Sequence, residues 1–193
     1  SYRNCLGDWL QMGIKKQVKL HTIFTRYLFA FCISTLFIAG LTIIIILTLS
    51  NSFSPKGALP ANYAESELLK SKDKIATSKN VTSNLIPNLC KYAVYTKSGK
   101  MLSGNLSSRT AKRAWKLVQN SQSSTNFFHY YLKIPRKNEV CIVQYSLAMQ
   151  FASPTLRRFL PTPELLAAII FCFGFILEVI ILGRSFSQKI TTV

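Results

Sequence analysis

Residues 27–49 read YLFAFCISTLFIAGLTIIIILTL, 23 residues without one charged side chain. As a helix this stretch is about 34 Å long, enough to cross the roughly 30 Å hydrocarbon core of a bilayer. It is longer than the 7–15 residues typical of a signal-peptide core, and no small-residue cleavage site follows it. A second apolar stretch, LLAAIIFCFGFILEVIIL at 165–182, holds a single acid, Glu178. Together they predict two retained transmembrane helices, 27–49 and 165–183.

The distribution of charge predicts how these helices are oriented. The 193 residues carry 24 Lys and Arg against 7 Asp and Glu, a net charge of +17. Cations dominate the short segment before the first apolar stretch and the short segment after the second. Short cation-rich flanks of membrane helices stay in the cytoplasm. We therefore predict a cytoplasmic leader at 1–26, an extracytoplasmic domain at 50–164 and the start of a cytoplasmic linker at 184–193. Both termini would be cytoplasmic.

The first half of the predicted outer domain contains a helix signal and a hairpin signal. Asn62 and Glu65 have the spacing of a capping box, and apolar residues recur after them, which predicts a helix that ends before Pro87. Residues 93–103 read AVYTKSGKMLS, two short strand-like runs around the polar turn 97–100. The order so far is therefore helix, then hairpin.

The second half repeats that order. Ala111, Ala114, Trp115 and Val118 recur at helical spacing behind a Ser107 or Ser108 cap, with cations on the other face, and we interpret Trp115 as a core anchor. The runs 127–134 and 140–149 predict a second hairpin. The chain is thus expected to be an α+β membrane protein. Its two transmembrane helices flank a small domain of helix, hairpin, helix and hairpin, a helix-covered antiparallel sheet of the PAS-like kind by fold analogy.

Residue types that support catalysis or metal binding are scarce. The chain has two histidines, no nucleophile or phosphate-binding motif and no Cys/His cluster, so no catalytic residue and no metal site are expected. Cys90 and Cys141 fall in the outer domain, where their separation permits a disulfide and two buried thiols fit equally well. Glu178 would be solvated near the cytoplasmic boundary, pair with Arg184, or pack between the spans of a dimer.

Four stretches resemble a known family: LPANYAE at 59–65, AVYTKSGKMLSGNLS at 93–107, AKRAWKLVQ at 111–119 and VCIVQYSL at 140–147. From about residue 20 onward the chain resembles sensor histidine kinases of Gram-positive bacteria, in the group associated with the response to lantibiotics and cationic antimicrobial peptides.

That resemblance implies a homodimer in the bacterial cell membrane, whose outer domain detects a signal and whose second span passes it to a kinase domain. ATP and a cytoplasmic response regulator belong to that domain. Its phospho-acceptor and ATP-binding motifs do not occur in these residues, so we expect no catalytic domain, no cofactor and no nucleic-acid partner here. Met12 resembles the usual start of such kinases, with 1–11 as an upstream extension.

The charge of the outer domain bears on what it detects. Residues 50–164 hold 17 Lys and Arg against 5 Asp and Glu, a net charge of +12 that attracts anions and repels a cationic peptide. Direct capture of such a peptide would need a local acidic patch, for which Glu65, Glu67 and Asp73 are the candidates. Otherwise the expected partner is anionic lipid, wall polymer or a transporter loop.

Two other functions fit the same pattern. The chain would be the sensor of a different two-span receptor, such as a chemoreceptor or a cyclic-dinucleotide enzyme. Alternatively it would be a structural or accessory envelope protein that binds a transporter or an anionic polymer.

Overall fold

The computed structural model describes residues 2–119, 123–126 and 129–192, apart from the side chains of 2–6, 8, 9, 18 and 123–126. It divides into two compact units. We call Ser1–Gly57 together with Ser153–Val193 the helical unit, and Ala58–Ala152 the sheet unit.

The helical unit consists of α1 (Tyr2–Phe53), α4 (Pro154–Phe159) and α5 (Pro163–Thr191). Two segments of it, Leu10–Phe53 and Pro163–Thr191, are long and apolar enough to cross a membrane. They contain the predicted spans 27–49 and 165–183. Helix α1 begins far ahead of its span because the leader contains no proline to interrupt it. Helix α5 begins where the Thr162 hydroxyl accepts from the Leu165 N–H, with Pro163 in the first turn.

The sheet unit is built on five antiparallel strands in the order β3-β2-β6-β5-β4. These are β2 (Lys91–Thr96), β3 (Met101–Gly104), β4 (Ser123–Asn126), β5 (His129–Pro135) and β6 (Glu139–Tyr145). A separate two-stranded ladder joins β1 (Ala58–Leu59) to β7 (Gln150–Phe151). Two helices, α2 (Tyr63–Thr77) and α3 (Ser108–Val118), and a short 3-10 turn (Ser83–Leu85) complete the unit.

Both faces of the sheet are buried. Successive residues of a strand point to opposite faces, and in β2 and β6 both sets are apolar. One set packs with Leu68 and Ile75 of α2 in a first core cluster. The other packs with Ala111, Ala114 and Val118 of α3 in a second. The sheet unit is therefore a three-layer helix–sheet–helix arrangement.

The double burial extends to β5. Tyr131 shares a face of this strand with the polar residues His129 and Lys133, yet it is 1% exposed and belongs to the cluster beneath α3. Its hydroxyl accepts a hydrogen bond from the Gln144 amide at 3.0 Å, which satisfies that polar group. The first two residues of the predicted strand, Phe127 and Phe128, lie outside the described residues.

The first hairpin is confirmed. Strands β2 and β3 pair on either side of the turn at 97–100, with a bulge between Val94 and Tyr95. The second hairpin is also confirmed, with its turn tightened to Arg136–Asn138 and its second strand ending at Tyr145. Helix α3 is confirmed as well, and Ser107 caps it by accepting from the Thr110 N–H.

The predicted length of the first outer-domain helix is wrong. Helix α2 ends at Thr77, well before Pro87. Of the residues that follow, SKNVTS at 78–83, all but Lys79 are poor helix formers. Asn62 is the N-cap residue, but its backbone is left-handed with φ 64° and its side chain makes no capping bond. The reciprocal capping box is therefore not formed. Strand β4 and helix α4 were not predicted.

Candidate functional site

A cleft of about 500 Å³ lies on the α3 side of the sheet unit. It is bounded by the last turns of α3, the β2–β3 turn and the β5–β6 turn. Its apolar wall consists of Trp115, Val118, Pro135 and Val140. Its polar lining consists of Lys97, Gln119, Lys133, Arg136 and Glu139. Clefts of this size, with an apolar wall and a few polar groups, are typical of small-molecule sites.

The strand register brings the cleft together. Val140 pairs with Tyr95 on one side and with Pro135 on the other, so one row of the sheet crosses β2, β6 and β5 here. Lys133 lies two residues before Pro135 and shares its face of the sheet. Residues from separate segments of the chain thus meet at one end of the sheet.

Trp115 fixes the position of the β2–β3 turn. Its ring centroid lies 5.2 Å from that of Tyr95. A Cβ on Gly99 would lie 2.5 Å from Trp115 Nε1, and Gly99 also has a φ of 92°, so glycine is required there on both counts. Trp115 is half-buried, and it both packs against Tyr95 and lines the cleft.

Tyr95 anchors α3 from below. Its hydroxyl donates to the Ala111 carbonyl at 2.7 Å. Burial, helped by Cys141 and Tyr131, raises the pKa of Tyr95 to about 12. Because the phenol stays protonated at neutral pH, this donor is permanent.

Arg136 ties the cleft to the end of α2. Its guanidinium donates to the carbonyls of Ile75, Ser78 and Lys79 and to the Ser78 hydroxyl, while Nε lies 3.5 Å from Glu139 Oε2. The side chain is 6% exposed. These bonds satisfy carbonyls that a helix end leaves unpaired. The sequence had suggested only a loop at this position.

The cleft carries uncompensated positive charge. Glu139 is engaged by Arg136. Neither Lys97 nor Lys133 forms an ion pair with a carboxylate that the structure describes. Beyond the cleft, the outer face of α3 exposes four more cations, at Arg109, Lys112, Arg113 and Lys116.

The three acids proposed as a peptide-binding patch are not brought together. They lie on α2, where Glu67 is about 200° and Asp73 about 80° around the helix from Glu65. Glu65 approaches the Tyr145 hydroxyl at 3.5 Å, and Glu67 pairs with Lys70 at 2.8 Å. The side chain of Asp73 is exposed. The acids therefore present no concentrated negative surface.

Cys90 and Cys141 are separate buried thiols, so the permitted disulfide is not formed. The register explains this, because Cys141 pairs with Val94 of β2. Cys90 lies four residues before Val94, which is about 13 Å along an extended chain. A disulfide needs Cα atoms within about 7 Å. Burial raises the pKa of both thiols to about 12, which keeps them protonated and unreactive.

In the helical unit, Glu178 lies at the contact between α1 and α5. It is 5% exposed, and the Thr35 hydroxyl lies 3.1 Å from each of its carboxylate oxygens. Arg184 is exposed, and no ion pair joins it to Glu178, although the structure describes both residues. Within one chain, Glu178 is therefore neither solvated nor paired with Arg184. Its packing between the spans of a dimer stays a prediction.

The contact continues on both sides of Glu178. Toward the chain ends, the Tyr27 hydroxyl lies 2.7 Å from the Ser185 hydroxyl, and Phe186 packs edge-on against Tyr27. In the other direction, a Cβ on Gly174 would lie 2.8 Å from the Ile38 side chain. Small residues allow such close approach between membrane helices. We call this row of contacts the α1–α5 seam.

Comparison with known proteins gives one informative result. No protein-family model and no solved structure matches the chain. The chain is 33% identical over 156 residues to the sensor histidine kinase SpaK of Bacillus subtilis. The match covers 80% of this chain and 33% of SpaK, so the chain spans about a third of the length of that relative. The resemblance read from the sequence is therefore confirmed: over most of its length this membrane protein is related to a bacterial sensor histidine kinase.

Proposed function

We propose that the chain is the sensor region of a two-component histidine kinase. The sheet unit detects a signal from the envelope, and α5 passes it toward a kinase domain. The observation that carries this proposal is the similarity to SpaK over 80% of the chain, together with an apolar helix on each side of a folded unit. The receptor is a membrane protein whose partner in signalling is a response regulator.

The placement of the units follows from charge. The cation-rich flanks at 1–26 and 184–193 favour a cytoplasmic position for both termini. The sheet unit, at 58–152, then lies outside the membrane. Its five-stranded antiparallel sheet, with helices packed on it, supports the PAS-like assignment by architecture.

The remaining parts of the signalling cycle belong to the intact receptor. A homodimer, a phospho-acceptor histidine and an ATP-binding domain are what sensor kinases use, and we propose them for the protein that contains this chain. Within it, Glu178 would be a transmembrane signalling residue, because a shift of α5 against α1 changes the contact between this buried acid and its hydrogen-bond donor. Arg184, exposed nearly two turns beyond, would mark the cytoplasmic exit of α5.

Direct capture of a cationic peptide is the weakest form of the sensing hypothesis. The net charge of the outer domain is +12, and the three acids of α2 point in different directions. An antimicrobial-peptide signal would then reach the sheet unit through a partner, such as an anionic lipid, wall polymer or transporter loop that the peptide alters.

A chimaeric receptor tests the proposed function. Residues 1–193 are joined to the cytoplasmic part of SpaK in Bacillus subtilis cells that lack SpaK, and a SpaK-dependent reporter is measured with and without a cationic lantibiotic. We expect a stimulus-dependent change of the reporter. Gly174→Leu, which forces the α1–α5 seam apart, should abolish it, while Gly183→Leu should not, because nothing lies within 4 Å of a Cβ at Gly183.

The same experiment separates the alternatives. A chimaera that reaches the membrane yet gives a constant reporter level under envelope stress of any kind contradicts the sensor role. That result would favour an accessory protein that binds a transporter or an anionic polymer.

A further inference from the structure

We propose that the cleft of the sheet unit binds a small organic anion, one that joins an apolar and preferably aromatic group to a phosphate or carboxylate. The anionic group lies between Lys97 and Lys133, and the apolar group lies against Trp115. The proposal deepens the sensory role above, on which its biological meaning rests, by naming the class of molecule that the sheet unit takes up.

The shape of the cleft sets the size of the ligand. A volume of about 500 Å³ is larger than a free phosphate or acetate needs and lies within the roughly 300–1,000 Å³ of small-molecule sites. Its wall is apolar at four positions: Trp115, Val118, Pro135 and Val140. Val118 and Val140 are buried, so the apolar surface open to a ligand is that of Trp115 and Pro135. A ligand without an apolar part would leave this surface in water.

The charges of the lining residues determine the sign of the ligand's charge. Arg136 and Glu139 compensate each other at 3.5 Å. Lys97 and Lys133 remain, and neither has an ion-pair partner within the part of the chain that the structure describes. Lysine ammonium groups suit phosphate and carboxylate as flexible point charges.

One feature of the cleft opposes an anion, but its charge is smaller than that of the two lysines. Val118 ends α3, and the free carbonyls of a helix C-terminus carry about half a negative charge. Two full positive charges outweigh it. The helix end therefore orients the ligand, with the anionic group directed to the lysines and the apolar group toward Trp115.

The position of Trp115 allows a direct test of binding. The chain contains two tryptophans, Trp9 and Trp115. In a Trp9→Phe background the emission of Trp115 reports on the cleft alone. The complete 193-residue chain is placed in phosphatidylcholine nanodiscs and titrated with phenyl phosphate and with benzoate, which show whether phosphate or carboxylate is preferred. Inorganic phosphate, benzyl alcohol and phenyltrimethylammonium are the comparison probes.

We expect a saturable change of Trp115 emission with phenyl phosphate or benzoate, at lower concentration than with inorganic phosphate or benzyl alcohol. Phenyltrimethylammonium should give none. Lys97→Gln and Lys133→Gln should each weaken binding about fivefold, the size of one screened charge pair at contact distance. Lys100→Gln, in the same turn as Lys97, and Lys137→Gln, in the turn that follows the strand of Lys133, are the matched controls, since they remove the same charge outside the cleft lining.

Three results overturn the proposal: no saturable change with either anion up to millimolar concentration, equal binding of phenyltrimethylammonium, or equal effects of the cleft and control lysines. The assay needs no kinase output. A responsive chimaera whose cleft binds neither anion refutes the ligand class and leaves the sensor role. A silent chimaera whose cleft binds normally refutes the sensor role alone.

Discussion

The two units use the same apolar residue types in opposite ways. In the sheet unit, Leu68, Ile134 and Ile142 are 0% exposed. In the helical unit, Leu36 is 73% and Phe173 is 66% exposed. Apolar groups leave water in the first case by packing on one another and in the second by facing lipid. The sheet unit is therefore stabilised throughout its core, whereas the helix pair depends on a narrow seam.

The two units also differ in how many partners their buried polar groups have. Arg136 is surrounded by carbonyl acceptors and a carboxylate. Glu178 has the Thr35 hydroxyl. A polar group with several partners locks a structure, whereas one with a single weak partner leaves its helices free to shift at low cost. This contrast suits a rigid detector joined to a pair of movable helices.

The comparison is tested most strongly at the centre of the sheet. Ile142→Ala should lower the free energy of unfolding of the sheet unit by about 2–5 kcal/mol, since it leaves a cavity in a close-packed core. Urea unfolding, followed by Trp115 emission in the Trp9→Phe background, measures this. Leu102→Ala, at a side chain that is 51% exposed, is the control and should change stability by less than about 0.5 kcal/mol. Equal losses at the two positions would show that the sheet lacks the double burial described here.

Arg136→Met should cost about 2 kcal/mol, because the α2 carbonyls lose charge-assisted donors and Glu139 loses its partner. Hydrogen exchange should also accelerate at the Ser78 N–H, which donates to the Lys74 carbonyl in the last turn of α2. Lys137→Met removes a charge from the same turn at an exposed side chain and should leave both measurements unchanged. An unchanged exchange rate in Arg136→Met would contradict the role of Arg136 as a helix clamp.

Substitutions in the α1–α5 seam should cost less free energy than those in the sheet unit. Thr35→Val is expected to weaken the association of α1 with α5 by about 1 kcal/mol, typical of a hydrogen bond between membrane helices. Unfolding in mixed detergent micelles measures it, with exposed Thr48→Val in the same helix as control. Combined with Glu178→Gln, the change should be less than additive. Full additivity would mean that the hydroxyl and the carboxylate do not interact.

The smallest expected effect is a pH dependence confined to the sheet unit. Partial desolvation, and then the charge of Lys91, lower the pKa of His129 below its ordinary value of 6.5, although the residue keeps exposed surface. The unfolded chain then binds the proton more readily, so the stabilisation is complete above pH 6.5 and is lost as the pH falls through the lowered pKa. His129→Gln should flatten the dependence of urea stability on pH below 6.5. The same slope in this variant and in the parent chain would contradict the assignment.

Local sequence signals predicted the elements whose causes are local. The spans follow from uncharged runs, the first hairpin from its polar turn and α3 from the spacing of Ala111, Ala114 and Val118. Distant contacts decided the rest. Arg136, about 60 residues later, bonds the last carbonyls of α2, although the poor helix formers after Thr77 are a local signal for the helix end. Tyr131 is buried because α3 covers the second face of the sheet. The cleft could not be predicted, since it requires the register of three strands.

The most direct test of the central claim, a sheet unit outside the membrane between two spans, is cysteine labelling in intact cells. Cys5, Cys32 and Cys172 are replaced by serine, while Cys90 and Cys141 stay, because they are buried and have pKa values of about 12. Single cysteines are then introduced by Lys100→Cys, Lys16→Cys or Lys189→Cys, and a membrane-impermeant maleimide is added. We predict that Lys100→Cys is labelled in intact cells and the other two only after permeabilisation. Labelling of Lys16→Cys or Lys189→Cys in intact cells, or protection of Lys100→Cys, would contradict the proposed topology.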